Sequence, residues 1–559
     1  MESQKVRTDT IGSSATADGK VIKSLPEQPA HSRPGRLKAD PPPSPILAGP
    51  TPRALMILLV SILLVSIPGA VLAVAGPPLP ETPPAAAAPV DVDDAGTRWF
   101  VCTIGGRPCG RMLESTSTSA SGVRTVETDL LLRFLRQGVE TESRVTSRMR
   151  TDADGALVFM EIVQHLGERP LVARWRFREN AVEETRSQGG RSETTTHPRP
   201  VSPWFAPDAA MARVMADPGD GPTTLRVVDP ANGIVPVAVT YRRLGVSTVE
   251  VEGRRIEGVR WEIRQPDAPV MVEVVDAAGA TLSSRTLLGA GLGELEIVRS
   301  TRGQAMAGAR AGVDLLDAGQ VRPAFEGDVL RPDRARALTL RITPRGGSLP
   351  AFVDAGAQRV RREGDALLVT VTPGETSACP ETLDGHLAAT PIADHEDPAV
   401  RRFADRASRG AASTGETAER LRRAVHRHVD RKGLATAFAS ASETVRDRRG
   451  DCTEHAVLLA AALRSKGIGS RVVNGLVWIP AGGGRDGAYL WHMWTQAVID
   501  GRWTDLDATL PPEGPGFHAG HLAINTGDLS PASFNATGTG MLEVFGAIDI
   551  TILDGATRP

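Results

Sequence analysis

A thiol, an imidazole and a carboxylate occur in that order near the end of this 559-residue chain. Cys452 lies in the segment RGDCTEH, His492 in WHMW and Asp507 in GRWTDLDAT. A thiol acyl-transfer enzyme needs these three groups, because the thiol attacks a carbonyl carbon, the imidazole moves the proton and the carboxylate orients the imidazole. The residue types and their order therefore predict catalysis by Cys452, His492 and Asp507.

The residues that follow Asp451 predict a helix over 452–466. Its apolar positions recur at helical spacing and comprise Ala456, Leu459, Ala460 and Leu463. Asp451 suits the N-cap, Glu454 suits the third position of a capping box, and Gly467 suits the C-terminal stop. Cys452 would occupy the first helical position, where the helix dipole favours a thiolate and backbone amides can bind an oxyanion.

The imidazole and the carboxylate are predicted to lie on a β-hairpin. Residues 488–499 and 502–508 have the pattern of strands, and Asp500-Gly501 between them is a strong type I′ turn signal. A two-residue turn of this type places Ile499 opposite Arg502.

Continuing this register along the hairpin places Trp494 opposite Asp507. His492 is two residues further along the same face, so His492 and Asp507 are diagonal neighbours, about 7–8 Å apart at the backbone and within side-chain reach. Asp505 shares the face but lies opposite Gln496, too far from His492. The register therefore selects Asp507 as the orienting carboxylate.

These segments resemble the core of the transglutaminase-like superfamily over roughly residues 395–555. The matching motifs are GDC at 450–452, the helix residues Ala460, Ala461 and Leu463, KGI at 466–468, RVVNG at 471–475, HMW at 492–494 and WTDLDAT at 503–509. The resemblance implies a papain-like fold, in a group that includes protein cross-linkers, cysteine proteases and other amide-cleaving enzymes. It also implies that Cys452 is the nucleophile, His492 the base and Asp507 the orienting acid.

The chain departs from this family at the oxyanion hole. Relatives often carry a Trp or Gln upstream of the nucleophile that completes the hole, and this chain has neither between Asp397 and Asp451. Loss of one such donor typically lowers the rate about 10²–10³-fold. The departure bears on catalytic efficiency more than on the identity of the nucleophile.

Metal binding is an alternative use of the same residue types. Cys452 and His455 lie at a ligand-like i, i+3 spacing that His492 could join to bind zinc, although no second Cys or carboxylate pair completes the site by spacing. A second metal interpretation rests on three residues that are close in sequence, His518, His521 and Asp528. We expect catalysis without a metal or another cofactor, and we expect these three to be solvated loop residues.

The expected partner of the site is a peptide or protein substrate. Hydrolysis is favoured over transfer to an amine, because water is far more abundant than any amine. Three tryptophans are candidates for binding substrate along the cleft, with core packing as the alternative: Trp491, Trp494 and Trp503. A non-enzymatic alternative is an envelope scaffold whose C-terminal domain keeps the fold and only binds peptides.

The charge of the chain argues against a nucleic acid partner. The formal net charge is -2 and the pI is near 6.6, so there is no basic footprint for a phosphate backbone. The length of 559 residues suggests several domains, and 42 Pro and 57 Gly fit a loop-rich chain with extended linkers.

The first 96 residues predict a membrane anchor. Residues 1–53 are polar and predict a disordered cytoplasmic tail. Residues 54–75 are almost wholly apolar and long enough to cross a bilayer as one helix, and 76–96 form a Pro/Ala-rich linker. Basic residues in the tail favour a cytoplasmic N-terminus, so the bulk of the chain would be periplasmic or extracellular. The alternative is a cleaved signal peptide with its cleavage site at Ala73-Val74-Ala75.

The remaining chain predicts an α+β fold in three parts. Residues 97–303 show period-2 alternation with Asp/Gly turns at 152–155 and 276–279, which predicts a large antiparallel β domain. Residues 304–378 predict a small β region, and 390–559 the papain-like transglutaminase core, whose first helical pattern covers 399–431.

Two cysteines near the start of the β domain predict a disulfide. If Gly105-Gly106 forms a two-residue turn, Cys102 faces Cys109, and opposed strand positions fall within bonding range. The alternative is two buried thiols. A disulfide here would agree with an oxidising compartment.

Overall fold

The computed structural model describes residues 96–557, apart from gaps of one or two residues and longer gaps at 166–169, 229–232, 315–318, 433–438, 482–485 and 534–543. The predicted tail and membrane helix lie outside these residues, as does the linker up to residue 95. Within the described part of the chain, no helix is long and apolar enough to cross a membrane.

The predicted β domain is an antiparallel sheet with 14 strands among the described residues. These are β1 Thr97–Ile104, β2 Arg107–Thr118, β3 Arg124–Arg136, β4 Val139–Thr151, β5 Leu157–His165, β6 Leu171–Phe177, β7 Ala181–Gln188, β8 Arg191–Pro198, β9 Thr223–Val227, β10 Val237–Val251, β11 Arg254–Arg264, β12 Met271–Val275, β13 Thr281–Leu287 and β14 Glu294–Ser300. Strands that follow one another in sequence are paired, except that β8 and β9 form the two edges of the sheet, and β1 pairs with both β2 and β14. Helices α1 Pro207–Ala216 and α2 Arg302–Gly308 accompany the sheet.

The turns that the sequence predicts in this sheet are present. Asp152 Oδ1 accepts hydrogen bonds from the backbone of Asp154 and Ala156, and Asp276 Oδ1 accepts the equivalent pair from Ala278 and Ala280. An aspartate that bonds its own backbone two residues on favours such turns locally. The antiparallel β prediction for this region is confirmed.

A second sheet corresponds to the predicted small β region. It contains β15 Ala324–Phe325, β16 Ala335–Pro344, β17 Gln358–Glu363, β18 Ala366–Val371 and, from the end of the chain, β26 Ile548–Thr557. A 3₁₀ turn at Pro332–Arg334 precedes β16. Strand β26 lies between β15 and β16, so the last strand of the chain completes this sheet although the sequence analysis assigned it to the catalytic domain. Because about 200 residues separate β16 from β26, no local sequence pattern predicts that these two strands pair.

The third sheet carries His492, and Asp507 immediately follows one of its strands. Its strands are β19 Ser377–Ala378, β22 Ser470–Pro480, β23 Gly487–Ile499, β24 Arg502–Leu506 and β25 His521–Gly527, in the order β19-β24-β23-β22-β25. A short parallel pair, β20 Arg431–Lys432 and β21 Arg449–Gly450, leads into Cys452.

Helices pack beside the third sheet. They are α3 Asp384–Leu387, α4 Pro398–Ala407, α5 Thr414–His428, α6 Ala441–Asp447 and α7 Cys452–Ser465. The α7 helix contacts α4, α5, α6 and β23, and every residue from Cys452 to Arg464 is buried. The helix is therefore buried on all of its faces and not only along one apolar stripe, because neighbouring elements surround it.

The prediction of one helical segment over 399–431 is wrong in one respect, because these residues form two separate helices, α4 and α5. Gly410 adopts φ +75° in the connection, where L side chains are disfavoured. Ser413 then caps α5 by accepting a hydrogen bond from the Glu416 amide at 3.1 Å. Leu421 and Val425 are fully buried, as their spacing predicts.

The predicted Cys102–Cys109 disulfide is not formed. Both residues are buried free thiols. Gly105 and Gly106 adopt positive φ and Ile104 pairs with Arg107, as predicted, but a β-bulge then shifts the register so that Cys102 lies opposite Gly110. A bulge inserts an extra residue in one strand, here Cys109, so the two cysteines are not directly opposed.

Candidate active site

Cys452 occupies the first position of α7, as the sequence predicts. Asp451 Oδ1 accepts a hydrogen bond from the Thr453 amide at 2.9 Å, and Glu454 Oε2 accepts one from the Asp451 amide at 2.9 Å. The Asp451 side chain also accepts a hydrogen bond from the Glu454 amide, so Asp451 and Glu454 form a reciprocal capping box. Cys452 is 1% exposed, so the thiol lies in a nearly closed site at the positive end of the helix dipole.

Glu454 also ties α7 to the segment before α6. Its Oε1 accepts a hydrogen bond from the Ala439 amide at 3.0 Å, so one carboxyl group holds two backbone segments beside Cys452. Burial, together with the nearby Asp451 carboxyl, raises the pKa of Glu454 to about 8.

Glycine is required at position 450 because the backbone there passes close to the Glu454 side chain. Its φ of +156° is disfavoured for L side chains, and an added Cβ would lie 2.3 Å from Glu454 Cβ. The glycine that precedes Asp451-Cys452 is therefore a steric necessity of the capping box.

The hairpin of β23 and β24, which carries His492, has the predicted turn and register. Asp500 and Gly501 adopt φ of 50° and 72°, as a type I′ turn needs, and Ile499 pairs with Arg502. Pairing continues through Thr495 opposite Leu506, one step from Trp494 and Asp507. His492 Nε2 lies 2.8 Å from Asp507 Oδ2, which confirms that the hairpin brings these side chains together.

His492 connects the carboxylate to the nucleophile. The Cys452 side chain hydrogen-bonds the His492 ring. Since Nε2 faces Asp507, the thiol takes Nδ1. Burial lowers the pKa of His492, but the charge and hydrogen bond of Asp507 and the contact with Cys452 outweigh burial, and the pKa rises from 6.5 to about 10. An imidazolium is thus stabilised between the thiol and the carboxylate.

Asp507 is held as a carboxylate by four donors. Oδ1 accepts hydrogen bonds from the amide and hydroxyl of Thr509 at 2.8 and 2.7 Å, and Oδ2 receives both His492 and His521. Burial would raise the pKa of Asp507, but the charges and hydrogen bonds of the two histidines hold it well below its usual range. The buried Arg422 guanidinium reaches the backbone oxygen of Asp507 at 3.3 Å, and it also bonds the Leu510 backbone oxygen and the Glu419 carboxylate.

Asp505 has a structural role, in line with its predicted position opposite Gln496. Oδ1 accepts hydrogen bonds from Trp494 Nε1 and Gln496 Nε2, and Oδ2 accepts one from the Ala357 amide, each at 2.8 Å. Burial raises the pKa of Asp505 although these bonds oppose the shift. The carboxyl group joins the catalytic hairpin to the loop before β17.

The three predicted substrate-binding tryptophans are core residues. Trp491, Trp494 and Trp503 are each 1% exposed. Trp491 stacks on Phe545 at 4.7 Å, and Trp503 lies 4.2 Å from the Arg471 guanidinium. Trp494 alone of the three has a ring contact with His492, at 6.1 Å between centroids. The prediction that they wall an open cleft is therefore wrong; packing among bulky neighbours buries them.

The zinc groupings suggested by sequence spacing are not assembled among the described residues. His455 is buried and its Nδ1 lies 2.5 Å from the Asp451 backbone oxygen, which orients the ring along its own helix. Asp528 accepts a hydrogen bond from the Ser530 amide, while His518 and His521 stand together with ring centroids 4.2 Å apart. His518 is half-buried. The expectation of solvated loop residues is wrong for His521, which begins a strand and is 1% exposed.

Two residues that contact Asp507 were not assigned to the site from sequence. Thr509 follows Asp507 by two positions, and this Asx-type spacing is a usable local signal. His521 begins β25, which pairs with β22 on the far side of the sheet from β24, so no local pattern points to it. Ligand atoms of His492, Asp507 and His521 lie within 4.8 Å of one another, close enough to hold a metal ion in principle.

A known protein family matches the part of the chain that contains Cys452, His492 and Asp507. The family model of the transglutaminase-like superfamily matches residues 401–508. The C-terminal region of this chain is thus a transglutaminase-like domain. No curated protein matches the chain.

Solved structures similar to parts of the chain share 13% identity with it. A β-barrel-like protein of unknown function from Brucella abortus covers 36% of this chain and 94% of its own, with a TM-score of 0.28. The match to a candidate cysteine protease from Cytophaga hutchinsonii covers 40% of this chain and 84% of that protein, with a TM-score of 0.25. The match to a candidate protease from Parabacteroides distasonis covers 74% of this chain and 70% of that protein, with a TM-score of 0.17.

Proposed function

We propose that this chain is a membrane-anchored cysteine hydrolase that cleaves peptide or protein amides through a Cys452 thioester. The observation that carries the proposal is the continuous contact from Cys452 through His492 to Asp507 at the start of a helix. A nucleophile, a base and an orienting carboxylate in this arrangement are the components of acyl transfer.

In the first half-reaction, the Cys452 sulfur attacks the amide carbonyl carbon and a tetrahedral oxyanion forms. The Cys452 backbone amide, at the positive end of the helix dipole, supplies a donor for this oxyanion. His492, protonated on Nδ1 by the thiol, transfers that proton to the leaving nitrogen as the C–N bond breaks. The products are a free amine and the Cys452 thioester.

In the second half-reaction, water attacks the thioester carbonyl. His492 accepts a proton from the water, the C–S bond breaks, and the thiolate is restored beside the imidazolium while the carboxylic acid leaves. Asp507 stays ionised throughout and keeps the imidazole ring oriented. If a primary amine replaced water, the same steps would give a new amide; we favour hydrolysis because water is the more abundant acceptor.

We place this activity in a cell envelope. The apolar run at residues 54–75 would anchor the chain, with the N-terminal tail in the cytoplasm and the catalytic domain outside it. Fractionation of cells that express the full chain, beside a version lacking residues 54–75, tests this. Recovery of both in the same soluble fraction would contradict the anchor.

The catalytic proposal is tested on the full chain with iodoacetamide and mass spectrometry of the Cys452 peptide. We expect Cys452 to react at pH 7 faster than Cys379, which is partly exposed but has no neighbouring imidazole–carboxylate pair of this kind. Incubation with a denatured protein substrate, with and without a fluorescent primary amine, then separates hydrolysis from transfer. C452S should abolish both products, and retention of turnover by C452S would refute the proposal.

An envelope scaffold is the second candidate, favoured by the closure of the site. Cys452 and Asp507 are 1% exposed and His492 is 6% exposed, so a substrate reaches the thiol only if the site opens. Replacing Cys452 by Ala separates the candidates in cells. An unchanged phenotype with normal folding would support the scaffold, whereas loss of phenotype supports the enzyme.

A further inference from the structure

A second imidazole bonds the catalytic carboxylate. His521 Nε2 lies 3.0 Å from Asp507 Oδ2, the same oxygen that His492 Nε2 reaches at 2.8 Å. The His521 side chain is fully buried. Its position is set by β25, which pairs with β22 through His521 opposite Val477.

The hydrogen-bond partners of the two ring nitrogens determine where His521 carries protons. Nδ1 lies 2.9 Å from the His518 backbone oxygen, which can only accept, so Nδ1 carries a proton. Nε2 faces Asp507, whose other oxygen is already occupied by two Thr509 donors. The remaining oxygen, Oδ2, also accepts from His492 Nε2, so Asp507 is an acceptor at both oxygens and His521 Nε2 donates to it as well. A histidine that donates from both nitrogens is an imidazolium.

The surroundings of His521 suit a buried cation. Phe517 stacks on the ring at 4.4 Å between centroids, and Trp494 meets it edge to face at 5.0 Å. Aromatic rings and a carboxylate stabilise a desolvated cation. The titratable groups that face it are the carboxyls of Asp505 and Asp507, the catalytic imidazole of His492 at 5.6 Å and the ring of His518.

We propose that His521 is a positioning residue that stays protonated, pins Asp507 and limits the basicity of His492. The inference rests on the proposed function of the Cys452 site. Two cations share one carboxylate, so the His521 charge opposes protonation of His492. His492 therefore releases its proton to the leaving amine more readily than it would beside an unshared aspartate.

A bound metal is the competing use of these three residues. The distances of 2.8 and 3.0 Å match direct charge-assisted hydrogen bonds between each imidazole and the carboxylate oxygen. Each ring therefore already donates an N–H to Asp507, and a metal ion would have to displace that proton in order to bind the nitrogen. This difference gives the test a second, independent readout.

The experiment measures the rate of Cys452 alkylation by iodoacetamide from pH 5 to pH 11 in the full chain, with the Cys452 peptide quantified by mass spectrometry. H521Q keeps an amide donor toward Asp507 but removes the charge, and H521F removes both. H518Q is the matched control, because His518 is a half-buried neighbouring imidazole whose ring bonds the Gly520 amide and not Asp507.

We expect the alkaline inflection from His492 to move up by about one pH unit in H521Q. H521F should in addition react about tenfold more slowly at pH 7, because Asp507 loses a donor and its orientation. H518Q should keep the wild-type profile. Thermal unfolding of each variant confirms that the folded state is being compared.

Two outcomes would overturn the inference while leaving the nucleophile intact. One is an activated Cys452 whose alkaline inflection is the same in wild type and H521Q, which would make His521 purely structural. The other is a stoichiometric metal ion in the purified wild type that is absent from H521Q. If wild-type Cys452 itself reacts no faster than Cys379, the proposed function and this inference both fall.

Discussion

His492 Nε2 and Asp507 Oδ2 are 2.8 Å apart because a two-residue turn folds their strands onto each other. The contact joins residues on strands β23 and just beyond β24, one register step past the last backbone pair. His492 thus lies on the sheet itself, and Asp507 immediately follows the strand paired with it. A sheet holds such a constellation more rigidly than a loop does.

Replacing Asp507 by Asn should abolish most of the activity. The neutral amide in D507N cannot stabilise the imidazolium and would favour the wrong tautomer of His492, so the acylation rate should fall by roughly 10³-fold or more. The measurement is acylation of Cys452 by a peptide amide or ester probe, followed by mass spectrometry.

D505N is the matched comparison for D507N, since Asp505 lies on the same hairpin. It accepts three N–H donors, and an amide nitrogen in place of one oxygen would leave a buried donor unsatisfied at a cost of about 1–3 kcal/mol. We expect D505N to unfold at a lower temperature and to acylate faster than D507N. Equal acylation rates in the two variants would contradict the assigned roles.

The His492–Asp507 pair should make stability depend on pH. The pKa of His492 is raised in the folded state, so its contribution is complete below about 6.5 and is lost as pH rises toward about 10. The pKa of Asp507 is lowered, so its contribution is present above 3.8 and is lost as pH falls below that value. The difference in unfolding free energy between wild type and H492Q should therefore be largest from about pH 4 to pH 6.5.

Chemical denaturation of wild type and H492Q across pH 3–10 measures this difference. The pH-independent cost of losing the ring cancels when values at different pH are compared. A difference that stays constant over the whole range would show that the pair is not an ion pair in the folded protein.

Adding a methyl group to Gly450 should disturb the nucleophile turn. G450A would place Cβ 2.3 Å from Glu454 Cβ, so the capping box must shift. G501A is the control: Gly501 also has positive φ, at +72°, but an added Cβ there has no neighbour within 4 Å. G501A should cost about 1–2 kcal/mol through backbone strain alone.

We expect G450A to lose more unfolding free energy than G501A, and to slow alkylation of Cys452 while G501A leaves that rate near wild type. Urea denaturation and iodoacetamide kinetics provide the two measurements. A G450A protein with wild-type stability would show that the turn tolerates another conformation.

The thiols of the β domain should be inert in the folded protein. Burial raises the pKa of Cys102 and of Cys109 far above the usual range, and both side chains are inaccessible. Iodoacetamide at pH 8 should modify them only after denaturation, without prior reduction. A requirement for reductant would instead reveal the disulfide that the sequence suggests.

Local patterns determined much of the catalytic unit. The capping box at Asp451 and the apolar positions of α7 predicted the helix that begins at Cys452, because caps and helical periodicity depend on neighbours within four residues. The Asp500-Gly501 turn likewise determined the register that pairs His492 with Asp507, since a two-residue loop leaves one alignment.

Tertiary structure alone decided the features that depend on distant segments. His521 reaches Asp507 because β25 joins the sheet beside β22, and Trp491 is buried because Phe545 covers it. The β-bulge beside Cys102 altered a register that the turn alone had predicted. Short-range interactions specify single elements from sequence, whereas pairing between distant strands depends on packing of the whole chain, which no local pattern encodes.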